Sequence, residues 1–331
     1  MSAPVSDVAE IEIDTALRPQ RFTEYVGQEH IKTNLRVGIA AAKTRAETLE
    51  HVLLSGPPGL GKTTLALLMA REMGVSLRIS SGPALTRTGD LAALLSTLES
   101  GDLLFIDEIH RLPSTVEEML YPVMEDFRLD LVVGKGPGAR SLRLDVPRFT
   151  LIGATTRSGA ISSPLRDRFG HAHRLEYYTP EEIEQIILRS ARLLGVTLED
   201  QARQDLAQRS RGVPRVANRL LKRVRDLGQV RHVPKIKSGL VEEALTMLEI
   251  DAQGLNAMDR KILQMVVEQF DGGPVGISTI AAAISEDPET IEGIYEPFLI
   301  QKGFLARTRQ GRIVTDRGYA HLKQKRKGRL L

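Results

Sequence analysis

The sequence predicts an α/β fold: a parallel-sheet domain, then a small all-helical region, then a short helical region closed by a hairpin. Three observations carry this expectation. Short apolar runs alternate with helix-like runs up to residue 178, the pattern of a parallel sheet covered on both faces. No convincing strand follows between residues 180 and 249. Three helix-like runs and two short alternating runs then close the chain, in the order of a winged helix-turn-helix. The domain bounds drawn from these shifts are 1–178, 179–250 and 251–331.

Each element has a local reason. Residues 1–14 form a loose acidic lead, and an Ala-rich periodic run over 29–49 predicts a helix. His51-Val-Leu-Leu-Ser55 reads as a strand, and Thr64-Leu-Ala-Leu-Leu-Met-Ala70 as the helix behind it. Val75 to Ile79 predicts the next strand, and Asp90 to Leu98 a helix. Leu103-Leu-Phe-Ile-Asp-Glu108 is a buried strand ending in two acids, and Ser114 is the expected N-cap of a helix reaching Met124. Arg128–Val133 and Arg140–Val146 alternate apolar and polar residues around Gly134-Lys-Gly-Pro-Gly138, which predicts a β-hairpin inserted before the strand Phe149–Thr155. Arg174–Tyr178 is expected to be the last strand of the sheet.

Thr179-Pro-Glu-Glu is helix-start chemistry. The helical region it opens breaks at Gly195-Val-Thr, Gly212-Val-Pro and His232-Val-Pro. Beyond Gly254, helices are expected over Met258–Phe270, Ile277–Ile284 and Pro288–Lys302, with two strands around Gln310-Gly311.

Composition bounds the function. With 331 residues there is room for two or three domains, and 42% hydrophobic with 26% charged residues is ordinary for a folded chain. The absence of Cys excludes disulfides and thiolate metal sites. No apolar run is long enough for a membrane helix, so no membrane partner is expected. Met1-Ser-Ala-Pro-Val-Ser-Asp shows neither a basic nor an apolar leader segment, so the expected location is cytoplasmic. The net charge is only +3, yet ten basic residues face a single acid, Asp316, between Lys302 and Arg329. Such a basic end points to a polyanion.

The chemistry is concentrated in Gly56-Pro-Pro-Gly-Leu-Gly-Lys-Thr63, set between strand and helix. Glycines let backbone N–H groups turn inward around phosphate oxygens, and the new helix adds its positive end. Gly59, Gly61, Lys62, Thr63 and Thr64 are therefore the candidate nucleotide-binding residues, with Lys62 for the β/γ-phosphates and the Thr63 hydroxyl for Mg²⁺. An apolar strand of a parallel sheet delivers its last carboxylates to the same sheet edge. Asp107 is thus the candidate Mg²⁺ ligand and Glu108 the group that polarises the attacking water. ATP and Mg²⁺ are the implied cofactors. Each motif has a plainer alternative, a turn of the chain or an acidic strand end, and their combination argues against it.

The phosphate loop, the acidic pair, a strand ending in Thr and a helical lid together resemble an AAA+ ATPase. Leu17-Arg-Pro19 with Tyr25-Val-Gly-Gln28, Phe105-Ile-Asp-Glu-Ile-His-Arg111, Gly153-Ala-Thr-Thr-Arg157, Pro164-Leu-Arg-Asp-Arg-Phe-Gly170 and Gly212-Val-Pro-Arg-Val-Ala-Asn-Arg219 are similar to the RuvB family within it. That family supplies the motor of the bacterial Holliday-junction branch-migration complex. The resemblance runs from about residue 15 to about 315.

The resemblance implies further roles. Thr156 stands at the sensor-1 position. Arg168 stands at the spacing of an arginine finger that reaches a neighbouring subunit, with Arg166 as the near competitor ranked below it. Arg215 matches sensor 2, and Leu17, Arg18 and Tyr178 are expected over the adenine; Tyr178 fits a core position equally well. The hairpin 128–146 is expected to dock the junction-binding protein RuvA, with the RuvC resolvase in the same complex and the chain itself in a hexameric ring. Four-way-junction duplex DNA is the expected substrate. For its grip, Arg307 and Arg309, two apart on one strand face, and Arg312 at the start of the return strand form a cationic wing suited to phosphates. The tail from Lys323 to Arg329 reads as a solvated, solubilising segment. Two alternatives stay open at this point: a clamp-loader or replication-initiator relative, and a winged-helix regulator that uses ATP as a switch.

Overall fold

The computed structural model describes residues 15–133 and 140–324, and the side chains of 131–133 and 140–142 are not among those described. The acidic lead, the turn Gly134–Gly138 and the tail from residue 325 onward lie outside the described residues. The chain packs as two units, one built on residues up to Gly56 with Leu60–Glu176, the other on Pro57–Gly59 with Tyr177 onward.

The first unit holds a five-stranded parallel sheet in the order β2-β3-β6-β1-β7. Its strands are β1 (Val52–Ser55), β2 (Leu77–Ser81), β3 (Leu103–Asp107), β6 (Thr150–Thr155) and β7 (His171–Arg174). The three inner strands are almost wholly buried, as expected for strands covered on both faces. Sheet order fixes the site. Strand β6 lies between β1 and β3, pairing Ser55 with Thr155 and Ile106 with Gly153. The C-terminal ends of β1, β6 and β3 therefore emerge side by side, where ligands bind in open α/β sheets.

Helices α1 (Glu29–Arg45), α2 (Lys62–Met73), α3 (Thr88–Leu95) and α4 (Ser114–Asp126) accompany the sheet, and the four-residue α5 (Ser163–Arg166) precedes β7. One core cluster joins Leu91, Leu104, Ile106, Leu120, Phe149, Leu151 and Phe169. Strands β4 (Arg128–Val133) and β5 (Arg140–Asp145) form the antiparallel insert, with Asp130 opposite Arg143 and their side chains paired at 2.8 Å.

Four local expectations shift. The last strand is His171–Arg174 rather than Arg174–Tyr178, because an edge strand with only His173 buried carries no apolar run to mark it. The strand expected over Val75–Ile79 is Leu77–Ser81, again an edge strand and largely uncovered. The helix expected over Asp90–Leu98 is Thr88–Leu95; Asp90 sits in its first turn and accepts the Arg87 N–H at 2.8 Å. Pro113, not Ser114, takes the N-cap position of α4, and Ser114 is the first helical residue.

The second unit begins with α6 (Pro180–Leu193), started by a Thr179–Glu182 capping box. Helices α7 (Asp200–Arg209), α8 (Pro214–Val230) and α9 (Ser238–Met247) complete the helical region. The break before α8 uses Gly212 at φ +66°, where a Cβ would meet the Tyr178 carbonyl at 2.7 Å.

Helices α10 (Ala257–Phe270) and α11 (Ile277–Ile284) follow, then α12 (Pro288–Thr290), which runs through a π turn at Ile291–Tyr295 into α13 (Glu296–Gln301). The wing is β8 (Leu305–Thr308) against β9 (Gly311–Val314), and α14 (Asp316–His321) closes the unit. Their shared core includes Ile262, Leu263, Phe298, Leu299, Phe304 and Tyr319. The helical region and the winged helix are tied by buried chemistry: Arg211 donates to Asp259 and to the Gly254 carbonyl, and stacks 4.4 Å from the Phe298 ring centroid. Burial pushes the Asp259 carboxyl above its ordinary value, and Arg211 opposes that shift.

Candidate nucleotide site

The loop after β1 has the geometry its glycines allow. Gly56 (φ +138°) leaves no room for a side chain, since a Cβ there would meet the Leu175 carbonyl at 2.7 Å. At Gly61 (φ +105°) a Cβ would meet the Tyr25 hydroxyl at 2.6 Å, and that hydroxyl donates to the Leu60 carbonyl. Tyr25 thus braces the loop, a role its sequence position does not announce. Gly59 also has positive φ, at +83°. Helix α2 starts at Lys62, so Lys62, Thr63 and Thr64 form its first turn, where the helix dipole favours an anion. Lys62 is buried, with its ammonium donating to the Gly56 carbonyl at 2.7 Å. A buried cation, facing glycines and a helix start are a fit for a nucleotide's phosphates.

The acidic pair lies at the end of β3. Asp107 Oδ1 accepts the Glu108 N–H at 3.0 Å. Glu108 holds φ at +46°, a strained value for a non-glycine residue and one that functional sites retain. Its Oε2 accepts from the Thr156 hydroxyl at 3.0 Å and from the Thr156 N–H at 3.3 Å. His110 Nδ1 lies 3.2 Å from the same oxygen and 3.0 Å from the Thr155 hydroxyl, which in turn accepts the Arg157 N–H. Glu108 and Thr156 are therefore brought together. His110 is the member that sequence reasoning missed, and its only signal was its place two residues beyond Glu108.

Arg168 and Arg166 separate clearly. Arg166 is turned onto its own loop, donating to the carbonyls of Ser158 and Ile161. Arg168 donates to the Pro164 carbonyl at 2.6 Å, pairs with Glu125 at 3.2 Å and stacks 4.5 Å from the Tyr121 ring centroid. Leu17 is buried and Arg18 half-buried in the first unit. In the second unit Tyr178 is buried, its N–H donating to the Gly212 carbonyl at 3.0 Å, and Arg215 is an exposed residue of the first turn of α8.

The wing departs from expectation. Arg312 does not face solvent: it is buried, its Nε and one terminal nitrogen bind both carboxylate oxygens of buried Glu296 at 3.0 and 2.9 Å, and Glu292 lies at 3.4 Å. Its cross-strand partner is Arg307, which stays exposed and pairs with Glu292 at 3.1 Å. Arg309 does not share a strand face with Arg307, because β8 ends at Thr308; it is exposed in the turn. The solvent-facing cations of the wing are Arg307 and Arg309.

Among the described residues, no helix is long and apolar enough to cross a membrane. The chain matches the Holliday junction DNA helicase RuvB P-loop domain over residues 17–175, the RuvB AAA lid domain over 178–251 and the RuvB C-terminal winged helix domain over 252–323. It is 56% identical over 316 residues to the Holliday junction branch migration complex subunit RuvB of Kosmotoga olearia, covering 96% of this chain and 92% of that protein. It is also similar to the solved Thermotoga maritima RuvB Holliday junction branch migration motor, with a TM-score of 0.87, 49% identity, and coverage of 94% of this chain and 99% of that one. A point mutant of the same Thermotoga maritima protein gives a TM-score of 0.88 at 49% identity, covering 93% and 99% of the two chains.

Proposed function

The chain belongs to the RuvB family of Holliday-junction branch-migration motors, and from that premise we propose that each of its ATP sites is completed by a neighbouring subunit. It is an ATP hydrolase that drives branch migration in recombination and repair. The observation that carries the finer mechanism is the contact of Thr156 with Glu108, at the sheet edge where the phosphate loop also emerges.

In this reading Lys62 and the N–H groups from Gly59 to Thr64 hold the phosphates. Thr63 and Asp107 would hold Mg²⁺, since a hydroxyl and a carboxylate are oxygen donors of the hard kind Mg²⁺ takes beside phosphate oxygens and water. Bound there, Mg²⁺ would neutralise charge on the β- and γ-phosphate oxygens. Glu108 takes a proton from the attacking water, and Thr156 holds the carboxylate until water and phosphate are in place. Arg168 crosses to the next subunit's site and stabilises transition-state charge, an effect worth about 10³–10⁵ in rate for such fingers. Leu17, Arg18 and Tyr178 are proposed adenine contacts, and Arg215 a phosphate sensor on the lid.

Membership in the family supports the rest: the three domains 1–178, 179–250 and 251–331, a hexameric ring in the cytoplasm, docking of RuvA on the hairpin 128–146, and RuvC in the same complex. Arg307 and Arg309 hold duplex phosphates without reading sequence.

The experiment is subunit mixing. Arg168→Ala subunits bind ATP but hydrolyse it poorly, and so do Glu108→Gln subunits. Mixed rings pair an intact finger with an intact carboxylate and recover turnover. Mixtures as inactive as either parent would remove the trans finger.

A further inference from the structure

The finger of the proposed mechanism is an arginine on a short loop, and a long flexible side chain is a poor catalyst unless something fixes it. The Arg168 guanidinium carbon lies over the ring of Tyr121 of α4, at 4.5 Å from the ring centroid. Around its edge, Pro164 and Glu125 receive its N–H groups. The ring beneath is itself immobilised. The Tyr121 hydroxyl donates to Glu117 at 2.9 Å and lies 3.2 Å from the Ser162 hydroxyl, which also donates to Glu117. Ser162 in turn caps α5 by accepting the Leu165 N–H at 3.2 Å, and α5 contains the Pro164 whose carbonyl holds Arg168. The contacts close a loop from α4 to α5 and back.

Glu125 alone does not account for the arrangement, because its carboxylate is more than half exposed and such pairs are weak. Tyr121 is half-buried, and burial raises its phenol above the ordinary value, so it stays a neutral hydroxyl donor. A cation over an aromatic face gains about 0.5–2 kcal/mol depending on desolvation.

We propose that Tyr121 is a positioning residue for hydrolysis, a platform that fixes the Arg168 guanidinium at one place on its own subunit's surface. This rests on the trans-finger reading of Arg168. It adds a connection between sites. Helix α4 follows the acidic pair of β3 through the short turn Ile109–Arg111, so a short stretch of chain joins a subunit's own Glu108 to the helix whose Tyr121 lies against Arg168.

The test compares Tyr121→Leu, which keeps bulk and loses the π face, with Tyr121→Phe, which keeps the face and loses the hydroxyl. In the assembled full-length ring on junction DNA, Tyr121→Leu lowers kcat by about tenfold, one cation–π contact's worth, with the KM for ATP within about twofold. Tyr121→Phe stays within about threefold of the parent. Adding Tyr121→Leu to Arg168→Ala causes no further loss. Tyr121→Leu subunits mixed with Glu108→Gln subunits recover turnover, since their own carboxylates are intact and the partners lend positioned fingers.

A Tyr121→Leu ring with undiminished kcat overturns the proposal, as does a loss that multiplies with that of Arg168→Ala. Loss of the thermal unfolding transition in both variants also overturns it, placing Tyr121 in the packing of α4 alone. If Arg168→Ala itself leaves kcat unchanged, the trans-finger reading is what fails. If Arg168→Ala is inactive and Tyr121→Leu is not, the finger stands and its platform falls.

Discussion

Thr156 holds Glu108: its hydroxyl lies 3.0 Å and its N–H 3.3 Å from the same carboxylate oxygen. The residue expected at the sensor-1 position thus touches the candidate catalytic carboxylate. The contact describes a restrained site that a phosphate can release by competing for Thr156.

Removing either side of that contact separates binding from chemistry. Glu108→Gln keeps ATP affinity and loses about 10²–10⁴ in turnover, the range for a general base. Thr156→Val lowers kcat by about tenfold to a hundredfold at unchanged ATP affinity, because the hydroxyl that the phosphate draws away from Glu108 is missing when charge develops. Steady-state hydrolysis beside equilibrium binding of a fluorescent ATP analogue reads both.

Lys62→Ala removes the buried ammonium that the Gly56 carbonyl holds in the loop. Nucleotide affinity falls by about a hundredfold or more, since a charge-assisted phosphate contact is lost. Equilibrium dialysis with ATP measures it, and parental affinity in the variant would remove the loop from the site.

In the wing, two arginines give opposite outcomes. Arg312→Ala strands buried Glu296 and costs about 3–5 kcal/mol of stability in the winged helix, read as a lowered melting transition. Arg309→Ala leaves melting unchanged and reduces the salt slope of DNA binding by about 1. A fully stable Arg312→Ala protein with a flattened slope would return Arg312 to the DNA.

Acid sensitivity has a named source. His51 Nδ1 accepts the Leu151 N–H at 2.9 Å and Nε2 donates to the Met124 carbonyl at 3.0 Å, which requires a neutral ring. Burial lowers its pKa from the ordinary 6.5. The unfolded chain then binds more protons, so this stability is complete above 6.5 and is lost as pH falls from there toward the native value. His173, also lowered by burial, acts with the same sign. Melting temperatures between about pH 5 and 8 should fall on the acid side, and His51→Gln should flatten that fall; an identical profile in the variant would place the proton elsewhere.

What was legible in the sequence follows from how local each signal is. The phosphate loop and the acidic pair are contiguous motifs, and the inner strands announce themselves as apolar runs because both faces are buried. Edge strands β2 and β7 lack that signature, so their bounds were displaced. Arg312 was misread because its partner Glu296 comes from α13, a tertiary contact that no spacing reveals. Arg309 was misread because one residue at a strand end decides which face a side chain takes. Tyr121 carries no sequence signal, because its contact with Arg168 joins residues 47 positions apart that only the fold brings together.

The most direct measurement is ATP-driven dissociation of a synthetic four-way junction by the full-length chain, with and without RuvA. The account predicts separation into two duplexes that requires ATP hydrolysis, rises with RuvA and disappears in Glu108→Gln. Hydrolysis at the parental rate with the junction left intact would contradict it.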